Sequence, residues 1–493
     1  MKIPSANVFL LQMLVMVTGF IVFSSCSTKK ESEAKTIKPN IVWIMLEDWG
    51  YQLSCYGEPG VETPYIDAVA AEGIRYTNSF CTAPVCSPSR SAMMTGFHQN
   101  FIGANQHRTA EKFGFPKKTL SNQIKPITQL LQEQGYYTCL MESNKTDLNF
   151  TFEGELFNGK DWKDRSENQP FFAQITFQGT HRRWKRDVLD SIDIAEIRLP
   201  PYYPQTDLAK RDWANGLEAM QIVDREVGEI LDRLEKEGLK ENTVVFIIGD
   251  NGRCMPRGKQ FLYDGGIQVP MIVRWPEKIK KAKVSENLVT TLDISKTIID
   301  VAGAKSAVPL HGKNLLKDDL TTRKYIFAAR DKMDSTYDAM RAIRSKEYKL
   351  IHNLMPERPY CQFNSYKERF YPVLAQLNVM NLEGTLDEDQ AQFMAASKPE
   401  FELYDLKNDP WELQNLADNI DYQEVKAELL SELNQWRKMV NDQGVTESFR
   451  KGGWSAEYPT RTLEQWETHL SGFEPWVFRE TTSKMTHPYL NKK

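Results

Sequence analysis

Asn40 to Leu46 is an unbroken apolar, β-rich run that ends in Glu47-Asp48-Trp49-Gly50. A run without polar alternation is the pattern of a strand buried on both faces of a parallel sheet, and this one delivers two carboxylates at its C-terminal end. The same texture returns at Tyr136 to Met141, Phe171 to Phe177, Thr243 to Ile248 and Val269 to Val273. Helical patterns lie between them: one closing over Leu130 to Glu133 before Gly135, a long one over 209–237 stopped by Gly238, and one from Asp293 to Val301 ending at Gly303. This alternation over 39–318 predicts an α/β domain with a large, mostly parallel sheet covered by helices on both faces. Such sheets gather functional groups in the crevice beyond the strand C-termini. After 318 the texture changes to short strand-like runs at Tyr325 to Ala329, Met340 to Arg344, Tyr348 to His352 and Phe401 to Leu406, with a helix at 422–440. Residues 319–493 therefore read as a smaller C-terminal α+β subdomain containing an antiparallel sheet. The aromatic and polar tail from 443 carries no pattern that assigns an element.

The N-terminus reads as a targeting segment. Lys2 is a thin positive region, and Val8 to Phe23 is apolar apart from Gln12, Thr18 and Gly19, too short for a comfortable membrane span. Its end, Phe23-Ser24-Ser25-Cys26, resembles a bacterial lipobox, although Phe23 stands where leucine is usual. Two readings follow: lipidation of Cys26, or plain secretory cleavage. Residues 1–26 are the signal segment and 27–38 a polar tether. The expected location is the periplasm or the cell surface, with membrane contact only through a lipid anchor.

Composition changes little. With 41% hydrophobic and 26% charged residues and a net charge of -4, the 493-residue chain is ordinary for a globular protein. No nucleic-acid-binding character is expected, and a polyanionic ligand would have to be held by a local basic site, not by the global field. Of seven cysteines, Cys26 is a lipidation candidate and Cys86 a modification candidate. The remaining five, Cys55, Cys81, Cys139, Cys254 and Cys361, are an odd set without CxxC spacing, so few or no disulfides are expected despite export.

The strongest chemical signal is Cys86-Ser87-Pro88-Ser89-Arg90, extended by Met94-Thr95-Gly96. A cysteine here sits at a helix start, with backbone donors and an arginine close by. The pentapeptide alone also fits a buried structural cysteine in a capped turn. Cys-x-Pro-x-Arg followed by Thr-Gly resembles the signature of type I sulfatases, within the alkaline-phosphatase-like superfamily. The resemblance implies that a maturation enzyme oxidises Cys86 to formylglycine. The hydrated diol then attacks sulfur, and its second hydroxyl expels sulfate.

Such a nucleophile needs a divalent cation on the sulfate oxygens. Glu47-Asp48 and Asp250-Asn251 end two strands and are each followed closely by glycine, so the chain can turn tightly around an ion. With Cys86 they form an all-oxygen set after oxidation, which favours calcium, magnesium less so, over zinc. The alternative is a pair of solvated turns. The family match is direct for Asp48, Asp250 and Asn251, whereas Glu47 replaces the usual aspartate.

Three cations are candidates for stabilising the sulfate: Arg90, Lys145 and Lys259. Lys259, in Arg257-Gly258-Lys259 before Tyr263-Asp264-Gly265-Gly266, and Lys145 rest on the resemblance. The family's Lys-x-His element reads Lys145-Thr146-Asp147 here. Asp147 either replaces the histidine as general base or only pairs with Lys145. His181 stands where the family places its leaving-group acid. As substrate contacts, His107, Arg108, His311 and Arg330 lie in loops that could border the pocket, with surface ion pairing as the alternative.

The stretches from Met340 to Arg344, Leu350 to Asn353, Tyr404 to Leu406 and Asp409-Pro410 resemble the C-terminal part of bacterial glycan sulfatases and sulfamidases. The resemblance covers most of 39–417. It implies hydrolysis of sulfate esters on a sulfated polysaccharide or its oligosaccharides, ulvan or a glycosaminoglycan. N-sulfoglucosamine hydrolysis and phosphodiester or phosphonate hydrolysis remain open within the same superfamily. An exported glycan-binding protein with unconverted Cys86 is the non-enzymatic alternative.

Overall fold

Strands with two apolar faces must be covered twice, and this chain does so with helices on each side of one sheet. The computed structural model describes residues 38–109, 115–452 and 461–479; the signal segment with Cys26 and the tether up to residue 37 lie outside them. In chain order the strands are β1 Asn40–Leu46, β2 Ile74–Phe80, β3 Lys118–Thr119, β4 Tyr137–Met141, β5 Phe150–Thr151, β6 Phe171–Phe177, β7 Thr243–Gly249, β8 Met271–Arg274 and β9 Lys283–Thr290. A second group follows: β10 Ile326–Arg330, β11 Met340–Arg344, β12 Tyr348–Asn353 and β13 Phe401–Asp405. The helices that matter below are α1 Pro64–Ala71, α2 Cys86–Thr95, α3 Ile127–Gln132, α4 Asp207–Lys236, α5 Asp264–Ile267, α6 Leu292–Ala302, α7 Ser365–Phe370, α8 Pro372–Glu383, α9 Glu388–Ala391 and α10 Gln423–Met439.

The large sheet has the order β4-β6-β1-β7-β8-β2-β9. It is parallel except for β8, which runs against both β7 and β2. Alternate residues of β1 feed two cores. Val42, Ile44 and Leu46 pack with α1 and α4 on one face, through Ile66, Val69, Leu217 and Val223. Ile41, Trp43 and Met45 pack with α2, α3 and α6 on the other, through Met93, Leu131 and Ile298. The expected covered parallel sheet is therefore the observed one. β2 and β9 were not visible as strands, because polar residues such as Arg75, Asn78 and Glu286 interrupt their apolar runs. β8 starts at Met271, later than the sequence pattern suggests, since Pro270 has no amide hydrogen for the ladder.

β10 to β13 form an antiparallel sheet. One of its faces packs on α10 through Ile343, Leu350, Leu403, Leu433 and Trp436. The other contributes Ala328, Ala342 and Ile351 to the core shared with β1 and α4. The described residues of the tail form three short helices, Glu447–Lys451, Leu463–Ser471 and Glu474–Val477. All six described cysteines are free, and no described helix is long and apolar enough to cross a membrane.

Charge ties the second sheet to the loop after β7. Asp264, at the start of α5, accepts from Arg344 at 2.9 Å and from Lys349 at 2.5 Å, and Lys349 also meets Glu412 at 2.5 Å. Burial pushes the Asp264 carboxyl up, but Arg344 and Lys349 outweigh it and hold the group well below the usual carboxylate range. Its contribution is thus present above the ordinary carboxylate pKa and is lost only in strong acid. Asp264→Asn leaves two buried cations short of a partner and should cost about 3–5 kcal/mol in denaturant unfolding at neutral pH. The deficit should be the same at pH 5 as at pH 7; a loss under about 1 kcal/mol would show the network to be dispensable.

Candidate active site

Register along the sheet decides where the functional groups meet. Leu46, the last residue of β1, lies beside Phe177 at the end of β6 and Gly249 at the end of β7. The residues that follow each strand therefore emerge along one edge: Glu47-Asp48, the loop to His181, and Asp250-Asn251. Gly249 is required there, since a Cβ would come within 2.1 Å of the Trp49 carbonyl oxygen. Asp48 itself adopts a positive φ of 53°, a costly conformation for a non-glycine residue that the surrounding contacts impose.

α2 brings the fourth element. Cys86 is its first residue, all ten of its residues are buried, and Ser89 Oγ donates to the Asp250 carbonyl at 2.6 Å. Ligating atoms of Glu47, Asp48, Cys86 and Asp250 all lie within 4.8 Å of one another. The Cys86 thiol donates to Asp48 Oδ1 at 3.3 Å and lies 3.4 Å from Lys259 Nζ. Burial, then the Asp48 charge, pushes this thiol well above its ordinary pKa. As a free thiol it stays protonated and is a poor nucleophile.

The backbone N–H of Asp48 donates to Asp250 Oδ1 at 2.8 Å, and Asn251 Nδ2 donates to Asp48 Oδ1 at 2.9 Å. Two acceptors in this cluster, Glu47 Oε2 and Asn251 Oδ1, are buried without a hydrogen-bond partner among the described residues. Orphaned oxygens facing a set of carboxylates are what a cation would satisfy. The carboxylate and amide oxygens of this set suit calcium or magnesium, so these residues fit the metal that the sequence reading calls for.

The three predicted cations surround the same space. Arg90 Nε donates to Asp250 Oδ2 at 2.7 Å, while its Nη1 and Nη2 are buried without a hydrogen-bond partner among the described residues and Nη2 lies 4.0 Å from Glu47 Oε2. Lys259 Nζ donates to Asp48 Oδ2 at 2.6 Å, and Lys145 Nζ contacts Glu47 Oε1. Burial lowers the affinity of Lys259 for its proton, but Asp48 reverses the direction and holds its pKa well above the ordinary value. Asp147 lies 3.9 Å from Lys145. Burial raises its carboxyl, while Lys145, His107 and Arg90 together bring it below the usual value. His181 sits at the rim, 28% exposed, with Nε2 3.6 Å from Asp48 Oδ2 and 3.3 Å from Tyr366 Oη. Its Nδ1 faces the Arg182 carbonyl at 2.7 Å, which assigns a proton to Nδ1.

The predicted substrate contacts divide. His107 is buried and accepts the Asp334 backbone N–H at 3.1 Å, while Arg108, 59% exposed, reaches Asp334 at 3.0 Å. Two expectations need correction. Arg330 is the last residue of β10 and not a loop residue; it is 1% exposed, lies 3.6 Å from Asp338 and stacks on Phe261, an interior cation. His311 packs against Phe97, His98 and Phe101, where its backbone N–H meets the Gly96 carbonyl at the far end of α2 from Cys86. Its ring completes an aromatic cluster, and burial lowers its pKa to about 4.

Two residues at the site went unnoticed in the sequence. Cys254 donates to Asp48 Oδ2 at 2.7 Å, and Tyr366 touches both His181 and, at 3.7 Å, Cys254. Cys254 could have been suspected from its place four residues after Asp250. Tyr366 could not, because α7 carries no motif and comes close only through the packing of the second sheet's long connection.

Residues 39–156 and 156–304 match the profile of the family described as Sulfatase. Residues 257–368 match the C-terminal profile of N-sulphoglucosamine sulphohydrolase. An ulvan-active sulfatase of Formosa agariphila is 33% identical, over 87% of this chain and 81% of its own length. The N-sulphoglucosamine sulphohydrolase of Homo sapiens is 24% identical, over 82% and 91%. A solved structure in complex with its substrate, D-glucosamine-2-N,6-O-disulfate, superposes with a TM-score of 0.59 at 19% identity, over 84% of this chain and all (100%) of that one. A phosphonate monoester hydrolase of Agrobacterium radiobacter reaches a TM-score of 0.62 at 17% identity, over 86% and 100%. At such identities the last two speak for the fold alone.

The orphaned oxygens give a direct test. Calcium added to cation-stripped protein should raise the thermal midpoint, by the equivalent of about 2.7 kcal/mol at a hundredfold excess over Kd. Glu47→Gln and Asp250→Asn should each lose most of that shift; no calcium-dependent shift in the unsubstituted protein would refute a cation site here.

Proposed function

Because the chain belongs to the sulfatase family, we propose that it hydrolyses sulfate esters on the sugars of a sulfated polysaccharide or its oligosaccharides. An algal polymer such as ulvan is the first candidate, by likeness to the Formosa agariphila protein. The observation that carries the reading is Cys86 at the start of a buried helix, 3.3 Å from Asp48 and 3.4 Å from Lys259. N-sulfoglucosamine is the second reading, favoured by the match of residues 257–368.

In this reading Glu47, Asp48, Asp250 and Asn251 would hold the calcium ion. Bound calcium polarises the sulfate, and formylglycine at position 86 supplies a nucleophile that can release sulfate by its own second oxygen. Lys259, Lys145 and the two Nη groups of Arg90 place positive charge where the sulfate oxygens gather charge in the transition state. His181, once it carries a proton on Nε2 as well as on Nδ1, delivers the Nε2 proton to the sugar oxygen that leaves. Asp147 accepts a proton on the nucleophile's side, in the role its relatives give to histidine. Domain boundaries at 39–318 and 319–493 follow the change from the parallel sheet to the antiparallel one. The N-terminal leader supports export, with anchoring through lipid on Cys26.

Purified protein should release sulfate from sulfated ulvan oligosaccharides, and Cys86→Ala should abolish it. The peptide containing Cys86 should weigh about 18 Da less than its thiol form, as loss of two hydrogens and exchange of sulfur for oxygen require. Full activity with an unconverted thiol would refute the nucleophile. Substitution should also separate the two proton-transfer roles. His181→Ala should slow turnover of sugar sulfates by roughly 10²–10⁴-fold and spare an aryl sulfate with a good leaving group, whereas Asp147→Asn should slow both. Near-normal turnover by Asp147→Asn would leave that residue only its pairing with Lys145.

A further inference from the structure

The arginines of this protein are mostly committed. Arg182 pairs with Asp212 at 2.7 Å, Arg341 with Asp442 at 2.7 Å and Arg344 with Asp264 at 2.9 Å. Arg183 and Arg369 are different: both are exposed, and neither forms an ion pair among the described residues. They also share a partner. The Arg183 guanidinium lies 5.3 Å from the centre of the Phe370 ring, and that of Arg369 lies 5.9 Å from the same ring.

This pair is continuous with the rim of the site. The His181 ring lies 5.4 Å from that of Tyr366 between centres, and Tyr366 5.2 Å from Phe370, both pairs tilted. Arg183 follows His181 by two residues, while Arg182 between them turns inward and donates to the Phe370 carbonyl at 2.8 Å. That bond fixes the His181 loop to the end of α7. Arg369 stands three residues after Tyr366, on the same side of α7. The nearest acid in sequence, Glu368, is buried and pairs with Arg461 at 2.7 Å.

We propose that Arg183 and Arg369, over the half-buried Phe370 ring, form a second anion-binding subsite at the mouth of the site. It takes a carboxylate or a second sulfate on the sugar next to the one that loses its sulfate. Two guanidiniums without acid partners offer N–H donors that match either oxyanion, and their contacts with one ring hold them at the same place on the rim. The proposal rests on the sulfatase reading above and narrows its substrate to one carrying at least two anionic groups.

The test compares kcat/KM for three sulfated disaccharides whose second sugar is a uronate, a sulfated hexose or a neutral hexose, with 4-nitrophenyl sulfate as a fourth probe. In the double variant Arg183→Gln with Arg369→Gln, the preference for an acidic over the neutral disaccharide should fall about tenfold or more, through KM. Loss confined to the uronate identifies a carboxylate, and loss confined to the second sulfate identifies a sulfate. An unchanged preference, including an equal loss on every disaccharide, overturns the subsite while turnover of the aryl sulfate leaves the sulfatase reading standing. Protein that turns over none of the four probes overturns both.

Discussion

Three carboxylates and a cysteine sulfur share a space in which their ligating atoms lie within 4.8 Å. Buried carboxylates so close cannot all stay ionised unless positive charge is held against them. Much of the architecture around the end of β1 answers that one demand. Lys259 faces Asp48, Arg90 faces Asp250, and Lys145 faces Glu47. The acceptors left over, on Glu47 and Asn251, mark the room for one more cation.

The elements that supply those charges come from four separated stretches, and each is held from behind. α2 is fixed by Ser89 on the Asp250 carbonyl and by Ser91, whose hydroxyl accepts the Asn149 N–H at 2.8 Å. The loop carrying Lys259 is fixed by Asp264, which Arg344 and Lys349 reach from the second sheet. The antiparallel sheet is thereby part of the site's support: it positions a lysine that it does not itself contain. The Ala329 N–H, bonded to the Thr82 carbonyl at 3.0 Å, ties the same sheet to the approach of Cys86.

Two departures from the family pattern fall at opposite ends of this charge arrangement. Glu47 reaches Lys145 and, at 4.0 Å, Arg90, so its longer side chain still brings its oxygens into the cluster. Asp147 is another matter. An imidazole there could pass between neutral and charged forms, whereas a carboxylate beside Lys145 is held ionised. Negative charge at 147 adds to that of the cluster, and Lys145, shared by Glu47 and Asp147, becomes the link between the two.

Local chemistry made much of this legible in the residue order. Uninterrupted apolar runs named β1, β6 and β7 to within a residue, because a strand buried on both faces has no alternation to blur. The Cys-x-Pro-x-Arg pattern and the acid pairs after two strands identified the reacting groups, because short motifs carry their chemistry with them. Polar, partly exposed β2 and β9 escaped notice, as did α2 as a wholly buried helix, since its ten residues show no apolar stripe. The tertiary structure alone decided that Leu46, Phe177 and Gly249 end side by side, which turns distant acids into one cluster. It also sent Arg330 inward and His311 to the far end of α2, and brought Cys254, Tyr366 and the Arg183–Arg369 pair to the site. Proximity across hundreds of residues is set by sheet register and packing, and no local pattern of side chains encodes it.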